Sequence, residues 1–156
     1  MRLTVYTDYT LRVLMYLALR YPSGELATIE QIATAYGISR NHLMTIVHQM
    51  GLHGLIATVR GRAGGMRLAR PPAEITVGEV VRLAEEDFNL VLCHAEGAES
   101  SCVVFPACNL KRGLRRALDA FMRELDAMTL QDAVGAPAAT ASLLGLPLPV
   151  AARLRR

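Results

Sequence analysis

Three cysteines lie within one stretch of sixteen residues, and the chain has no others. They are Cys93, Cys102 and Cys108, separated by eight and then five residues. Structural zinc sites usually pair cysteines about two to four residues apart, so these gaps fit zinc poorly. An iron–sulfur cluster is larger and accepts ligands from a longer loop, although no standard ferredoxin spacing matches here. The spacing favours a cluster and leaves redox-active thiols or zinc as alternatives.

Three thiolates leave a cluster one ligand short. His94 adjoins Cys93, and neighbouring side chains seldom reach the same cluster comfortably. Asp8 is the other candidate, because it is the only acid in the predicted first helix, Thr4–Arg20. On the residues alone, an acid that complements the helix dipole is the more ordinary interpretation of Asp8.

The charge of the chain is unevenly distributed. The net charge is +3 overall, with +5 in residues 1–70, −6 in residues 71–110 and +4 in residues 111–156. A basic front segment indicates an anionic partner for that segment. The odd number of cysteines and the charged N-terminal helix predict a cytoplasmic protein without a secretory signal. The uncharged run Ala133–Ala152 contains prolines and glycines, which disfavours a membrane span.

Two short helices joined by a glycine-containing turn follow the first helix. Thr28 caps one of them, Gly37 ends it, and Ser39 caps the next, which extends to Met50. Apolar residues of the latter recur at three- and four-residue spacing, so its other face is polar. This pattern is typical of a helix-turn-helix whose second helix enters the major groove. The predicted DNA contacts are Thr28, Ser39, Arg40, Asn41, His42, Thr45, His48 and Gln49, of which Arg40 and Gln49 suit base edges best.

The segment LIATVRGRAGGMRLAR, residues 55–70, predicts a β-hairpin with a basic, glycine-rich tip. Such a hairpin, placed directly after a recognition helix, is a wing. Its glycines permit close backbone approach, and its arginines can reach phosphates or the minor groove. The predicted contacts from the wing are Arg60, Arg62, Gly64 and Arg67.

The rest of the chain predicts a helix over Val77–Glu86, the cysteine loop, and a long helix over Asn109–Gln131. Apolar residues of the long helix are spaced by four and three positions, as in two heptads, which favours packing against a second copy in a homodimer. They are Leu114, Leu118, Phe121, Leu125 and Met128.

The predicted fold is mainly α with a small β-wing. A winged helix-turn-helix domain occupies residues 1–75, an iron–sulfur sensor loop and dimerisation helix occupy residues 76–132, and a C-terminal tail occupies residues 133–156. The sequence has no paired carboxylates, nucleophile elbow or phosphate-binding loop, so we predict that the protein is not an enzyme.

Together these features resemble a known family of small winged-helix transcriptional regulators that carry an iron–sulfur cluster. The resemblance covers roughly residues 1–132. It is carried by the cysteine triplet with its lead-in FNLVLCH and by three longer segments: MRLTVYTDYTLRVLMYLA, IEQIATAYGISRNHLMTIVHQMGLHGLI and VRGRAGGMRLA.

Within this family the chain is most similar to the nitric-oxide-sensing members. The resemblance implies a homodimeric repressor with a 4Fe–4S cluster held by the three cysteines of one subunit and Asp8 of the other. Arg12 is then expected to hold the Asp8 carboxylate in place. Nitric oxide would attack the iron and so release the operator DNA.

The chain departs from the family pattern at two points. Some members use a histidine three residues after the third cysteine as the fourth ligand, and here that residue is Lys111. The first gap between cysteines is also longer than the usual one. A 2Fe–2S cluster, a regulator that senses iron–sulfur or redox status, and a metal-free thiol switch therefore stay as alternatives.

Overall fold

The computed structural model describes residues 2–97 and 102–147. Short 3₁₀ turns lie at Tyr21–Ser23, Pro72–Glu74, Leu92–His94 and Phe105–Ala107. The helices and strands are, in chain order, α1 (Val5–Arg20), α2 (Ile29–Tyr36), α3 (Arg40–Leu52), β1 (Ile56–Val59), β2 (Gly65–Leu68), α4 (Val77–Ala84), α5 (Asn109–Ala127), α6 (Leu130–Ala133) and α7 (Pro137–Leu143).

Side-chain caps define the helix-turn-helix formed by α2 and α3. The Thr28 hydroxyl accepts the Gln31 amide at 3.2 Å, and the Gln31 side chain accepts the Thr28 amide at 2.9 Å. Gly37 ends α2 with a φ of 65°, in the left-handed region that favours glycine. The Ser39 hydroxyl accepts the His42 amide at the start of α3. The predicted boundaries of this motif are confirmed to within two residues.

The wing is an antiparallel hairpin in which Ile56 pairs with Leu68 and Val59 with Gly65. A further bridge ties it to the segment before α2. The Ala27 amide donates to the Met66 carbonyl at 2.9 Å, and the Met66 amide donates to the Ala27 carbonyl at 2.7 Å. The wing is therefore fixed to the helix-turn-helix by backbone hydrogen bonds as well as by side-chain packing.

One apolar core surrounds α1. Helices α2, α3, α4 and α6 and strand β2 all contact α1. Burying a leucine or isoleucine side chain fully contributes about 1.5–3 kcal/mol. The largest fully buried side chains are Leu14, Leu17, Ile32, Leu43, Ile46, Met50, Leu55, Ile75 and Leu130.

Two helices end earlier than the sequence predicts. Helix α4 stops at Ala84 instead of Glu86, because Glu85 adopts an extended conformation and bonds to the start of α1. Helix α5 stops at Ala127 instead of Gln131. There the segment before α4 pairs with the segment after α5 in one antiparallel bridge between Thr76 and Thr129. In it, the Val77 amide donates to the Met128 carbonyl at 2.8 Å, and the Leu130 amide donates to the Ile75 carbonyl at 2.9 Å.

Part of the predicted C-terminal tail packs against the core. Val134 and Ala141 are buried, and Leu144 and Leu146 lie against the core cluster. Residues 148–156 of that tail lie outside the described residues, and the division into three regions stays a prediction. Over residues 2–97 and 102–147, each helix is too short or too polar to cross a membrane.

Candidate DNA-binding surface and metal centre

One face of α3 is buried and the opposite face is exposed. Leu43, Ile46, Val47 and Met50 face the core. Gln49, one of the predicted DNA contacts on α3, is partly buried. The other predicted contacts on α3 are exposed: Arg40, Asn41, His42, Thr45 and His48. Gln49 lines a cleft of about 690 Å³ together with Tyr6 and Phe88. The exposed face is thus mainly polar along its N-terminal two turns, where recognition helices contact base edges, and Met44 is its one exposed apolar residue there.

Two residues of this face have partners that the sequence did not reveal. The Arg40 guanidinium lies 2.9 Å from the Glu30 carboxylate of α2. The His42 ring lies 5.9 Å, centroid to centroid, from the Tyr9 ring of α1. The spacing of residues within α3 carries no information about contacts from other helices. These two partners therefore become visible only in the tertiary structure. Both contacts restrict the side chains that the exposed face presents.

Thr28 and Ser39 lie at the exposed N-termini of α2 and α3. Their hydroxyls serve as helix caps. Free backbone amides and the helix dipole make such N-termini favourable places for phosphate. These two residues can therefore contact the DNA backbone while they cap their helices.

The wing carries three exposed arginines: Arg60 and Arg62 lie at its tip, and Arg67 lies in β2 opposite Ala57 of β1. Gly64 lies so close to the start of the turn that an added Cβ would collide with the Val59 carbonyl oxygen and lie 2.9 Å from the Gly61 carbonyl oxygen. Glycine is therefore required at position 64 for the tight tip. Arg70, in contrast, pairs with Glu79 at 2.5 Å and belongs to the packing of α4.

All three cysteines are free and partly exposed. Cys93 lies in the turn Leu92–His94. Cys108 is the N-cap of α5, and its Sγ accepts the Lys111 amide at 3.4 Å. The thiolate is the form in which cysteine binds metals. Soft thiolate donors of this kind fit an iron–sulfur cluster or zinc.

The surroundings of the cysteines are unusually open. Leu92 is 87% exposed and Val103 is 99% exposed. The Lys111 ammonium lies 3.3 Å from the centroid of the Phe105 ring, which holds the turn before Cys108 against α5. The buried Nδ1 of His94 has no hydrogen-bond partner among the described residues. Among the described residues, this region therefore exposes apolar side chains beside partly exposed thiols.

Asp8 is paired with Arg12, as the sequence predicts. The Arg12 Nε lies 3.0 Å from each Asp8 carboxylate oxygen, and both side chains are about half exposed. This hydrogen bond raises the pKa of Arg12. The guanidinium also lies 5.9 Å from the centroid of the Tyr36 ring of α2. Over the described ranges, no three histidine, cysteine or acidic side chains gather closely enough to hold a metal ion.

A family model described as Rrf2, an iron-dependent transcriptional regulator, matches residues 3–136. The chain belongs to the Rrf2 family. Two relatives, both called HTH-type transcriptional regulator NsrR, extend this. The one from Bacillus subtilis is 50% identical over 134 residues, which are 86% of this chain and 90% of the relative. The one from Geobacillus kaustophilus is 48% identical over 144 residues, which are 92% of this chain and 97% of the relative.

Solved structures share the Rrf2 fold. CymR, the global cysteine regulator of B. subtilis, matches with a TM-score of 0.71 and 26% identity over 86% of this chain and 97% of CymR. The oxidized form of Staphylococcus aureus CymR matches with a TM-score of 0.64 and 27% identity, over 84% of this chain and 94% of that protein. IscR of T. potens matches with a TM-score of 0.68 and 23% identity, over 86% of this chain and 87% of IscR. At that identity the likeness shows the fold alone. The predicted fold and family are confirmed, and the chain is a transcriptional regulator of the NsrR type, not an enzyme.

Proposed function

We propose that this protein is a homodimeric repressor that binds operator DNA and releases it when nitric oxide reaches an iron–sulfur cluster. The observation that carries the proposal is the placement of three free cysteines between a complete winged helix-turn-helix and α5, in a chain about half identical to NsrR. The relatives' name supplies the class of regulator. The cysteines and Asp8 supply a donor set with which such a regulator could sense a gas.

The DNA contacts follow from exposure and charge. The exposed face of α3 enters the major groove, with Arg40 best placed for a guanine edge. Gln49 is less suited than the sequence predicted, because it is partly buried against the cleft. Arg60, Arg62 and Arg67 of the wing contact phosphates or the minor groove around Gly64, and Thr28 and Ser39 contact the backbone at helix N-termini.

A second subunit would cover the apolar stripe of α5. Leu118 is buried against its own chain, whereas Leu114, Phe121 and Leu125 are only partly covered and Met128 is 44% exposed. A row of half-covered apolar residues along a helix of 19 residues is typical of a helix that packs against its symmetry mate. The homodimer also supplies the two recognition helices that a two-fold operator requires.

Cys93, Cys102 and Cys108 would hold the cluster, with Asp8 of a second subunit as the fourth ligand. When bound, a 4Fe–4S cluster supplies iron that reacts with nitric oxide, and a 2Fe–2S cluster is the alternative. A carboxylate is a harder ligand for iron than a thiolate, so Asp8 is the ligand lost most easily. Arg12 is placed to take up the freed carboxylate, since it already holds both oxygens in this structure.

Loss of the Asp8 bond would change the DNA-binding surface through α1. Tyr9, next to Asp8, contacts His42 on α3, and Arg12 lies over Tyr36 on α2. A shift of α1 is thus passed to both helices of the helix-turn-helix. The two recognition helices then lose the half-site spacing that the operator sets.

The test is an anaerobic absorption spectrum with iron and sulfide analysis, before and after nitric oxide, combined with operator binding of the same samples. We expect broad visible absorption from thiolate-to-iron charge transfer, its change with nitric oxide, and parallel loss of operator binding. Cys108→Ser should lose the absorption. Asp8→Ala should keep a cluster and change its response. A colourless protein with stoichiometric zinc would falsify the cluster.

A metal-free thiol switch is the second candidate, favoured by the free, partly exposed state of all three thiols. A structural neighbour, S. aureus CymR, has been solved in an oxidized form. This alternative predicts that iron-free protein changes its operator affinity with peroxide and that a reducing thiol reverses the change. Peroxide without effect on the iron-free protein excludes it.

A further inference from the structure

Glu85 links the end of α4 to the start of α1. Its Oε1 accepts three hydrogen bonds: from the Thr4 amide at 2.7 Å, from the Thr4 hydroxyl at 3.1 Å and from the Thr7 hydroxyl at 2.5 Å. Hydrogen bonds to an ionised acceptor are roughly twice as strong as neutral ones. The carboxylate also lies at the N-terminus of α1, where the helix dipole favours negative charge.

The hydrogen bonds keep this carboxylate ionised. Desolvation raises the pKa of Glu85, but the bonds from Thr7 and Thr4 outweigh it, so the pKa lies below its ordinary value. Thr7 is fully buried, so removal of the carboxylate would take away a charged acceptor that water cannot easily replace. Glu85 therefore contributes directly to the order of the first turn of α1.

That turn carries Asp8. The Asp8 amide donates to the Thr4 carbonyl at 3.0 Å, so the residue that Glu85 holds is also the residue on which the Asp8 backbone rests. The Asp8 side chain is about half exposed and contacts Arg12 on the surface. Its carboxylate is thus placed mainly by the backbone of the first turn.

Helix α4 is also held by α5, through residues in both its first and its last turn. Arg82 donates to the two carboxylate oxygens of Asp126 at 2.7 Å and 2.5 Å. Gly78 permits the close approach, because an added Cβ would collide with the Asp126 side chain and lie 3.0 Å from its backbone nitrogen. Helix α5 runs without a break from the residue after Cys108 to this contact. A displacement of α5 at its cysteine end therefore reaches α4.

We propose that Glu85 is a positioning residue for Asp8, through which α4 sets the first turn of α1 according to the position of α5. Glu85 acts through Thr4 and Thr7 and is not itself a metal ligand. The inference rests on the proposed function only in the role of Asp8. The contact between Glu85 and α1 stands independently of any cluster.

Hydrogen–deuterium exchange of the full-length, metal-free protein tests the contact. Glu85→Ala should speed exchange of the amides of residues 5–10 about tenfold, the loss expected when hydrogen bonds to a charged group are removed. Glu85→Gln keeps an acceptor oxygen and should give an intermediate rate. Glu86→Ala, which changes the exposed neighbouring acid, is the matched control and should leave exchange unchanged.

A second measurement tests the positioning of Asp8. In the anaerobically purified protein, Glu85→Ala should keep its iron but reduce by about fivefold or more the ratio of operator affinities before and after nitric oxide. Loss of iron equal to that of Cys108→Ser would make Glu85 a ligand and overturn the proposal. Unchanged exchange together with an unchanged ratio would overturn it as well. A wild-type protein without iron overturns the proposed function, and the exchange experiment alone then decides whether Glu85 fixes this turn.

Discussion

Leu43 in α3 and Val103 beside Cys102 are both apolar side chains, and their exposures are 0% and 99%. The same contrast holds for the regions around them. From α1 to β2, helix N-termini are capped, strands are paired and most apolar side chains are buried, although Val5, Met44 and Leu52 are exposed. Around the cysteines, Leu92 and Val103 face outward and three thiols are free.

This difference separates a region whose apolar side chains are largely buried by its own chain from a region whose described apolar side chains are left largely exposed. Apolar side chains exposed together are unfavourable in isolation and become favourable once another surface covers them. The DNA-binding region therefore owes its structure to contacts within one chain. On the proposed function, the cysteine region is where a second subunit and a cluster would add contacts.

We expect the largest difference between the two regions in a matched pair of leucine truncations. Leu14 is fully buried in α1, and Leu92 is 87% exposed beside Cys93. Leu14→Ala should lower the free energy of unfolding by about 2–5 kcal/mol, from lost burial and the cavity left behind. Leu92→Ala should change it by less than about 0.5 kcal/mol. Urea denaturation followed by circular dichroism measures both.

The result for Leu92→Ala also sharpens the contrast. A loss close to that of Leu14→Ala would show that Leu92 is covered in solution. Dependence of that loss on protein concentration would identify a second subunit as the cover, since association stabilises in proportion to concentration. The cysteine region would then be complete in the dimer before any metal binds.

A substitution in the wing tests the DNA-binding region, the other half of the comparison. Gly64→Ala places a methyl group against the Val59 and Gly61 carbonyl oxygens. Overpacking of this kind typically costs about 1–3 kcal/mol, because the backbone of the tip must shift to make room. If the tip contacts DNA, operator affinity should therefore fall by roughly tenfold or more. Fluorescence anisotropy with a labelled operator measures it. Gly51→Ala, where the nearest atom is 3.7 Å away, is the control and should bind normally.

The DNA-binding region could be read from the sequence because its signals are local. Thr28, Gly37 and Ser39 mark helix ends within four residues of the hydrogen bonds they make, and the buried face of α3 follows a fixed period. The glycines of the wing likewise lie next to the atoms they must avoid. Physical causes confined to a few residues leave a pattern in the sequence.

The links between regions left no such pattern. Glu85, Glu86 and Asp87 form one acidic run, and only the fold selects Glu85 to bond Thr4, 81 residues earlier. Arg82 with Asp126 and Arg40 with Glu30 are likewise chosen by packing. The ends of α4 and α5 differ from the predicted ones for the same reason. Glu85 leaves α4 to bond the start of α1, and a bridge between Thr76 and Thr129 replaces the last turn predicted for α5.

The smallest expected effect concerns the pH dependence of that junction. Because the folded-state pKa of Glu85 is lowered, its bonds stabilise the fold above the unfolded-state pKa, and this stabilisation is lost as the pH falls through the folded-state pKa. The free energy of unfolding of the wild type should therefore fall more steeply on acidification than that of Glu85→Gln. Glu85 is partly exposed, so the difference should stay below about 1 kcal/mol.

Nearby charges set the design of this last experiment. Asp87 raises the pKa of Glu85 and so opposes the effect, while Glu86 and Arg2 lie in the same cleft. Asp126 and Asp132 also have lowered pKa values, but they are unchanged in the variant, so the difference between the two proteins isolates Glu85. Urea denaturation at a series of pH values gives both curves. Parallel curves would mean that the carboxylate charge does not hold the first turn of α1, and that the two regions are joined at this point by packing alone.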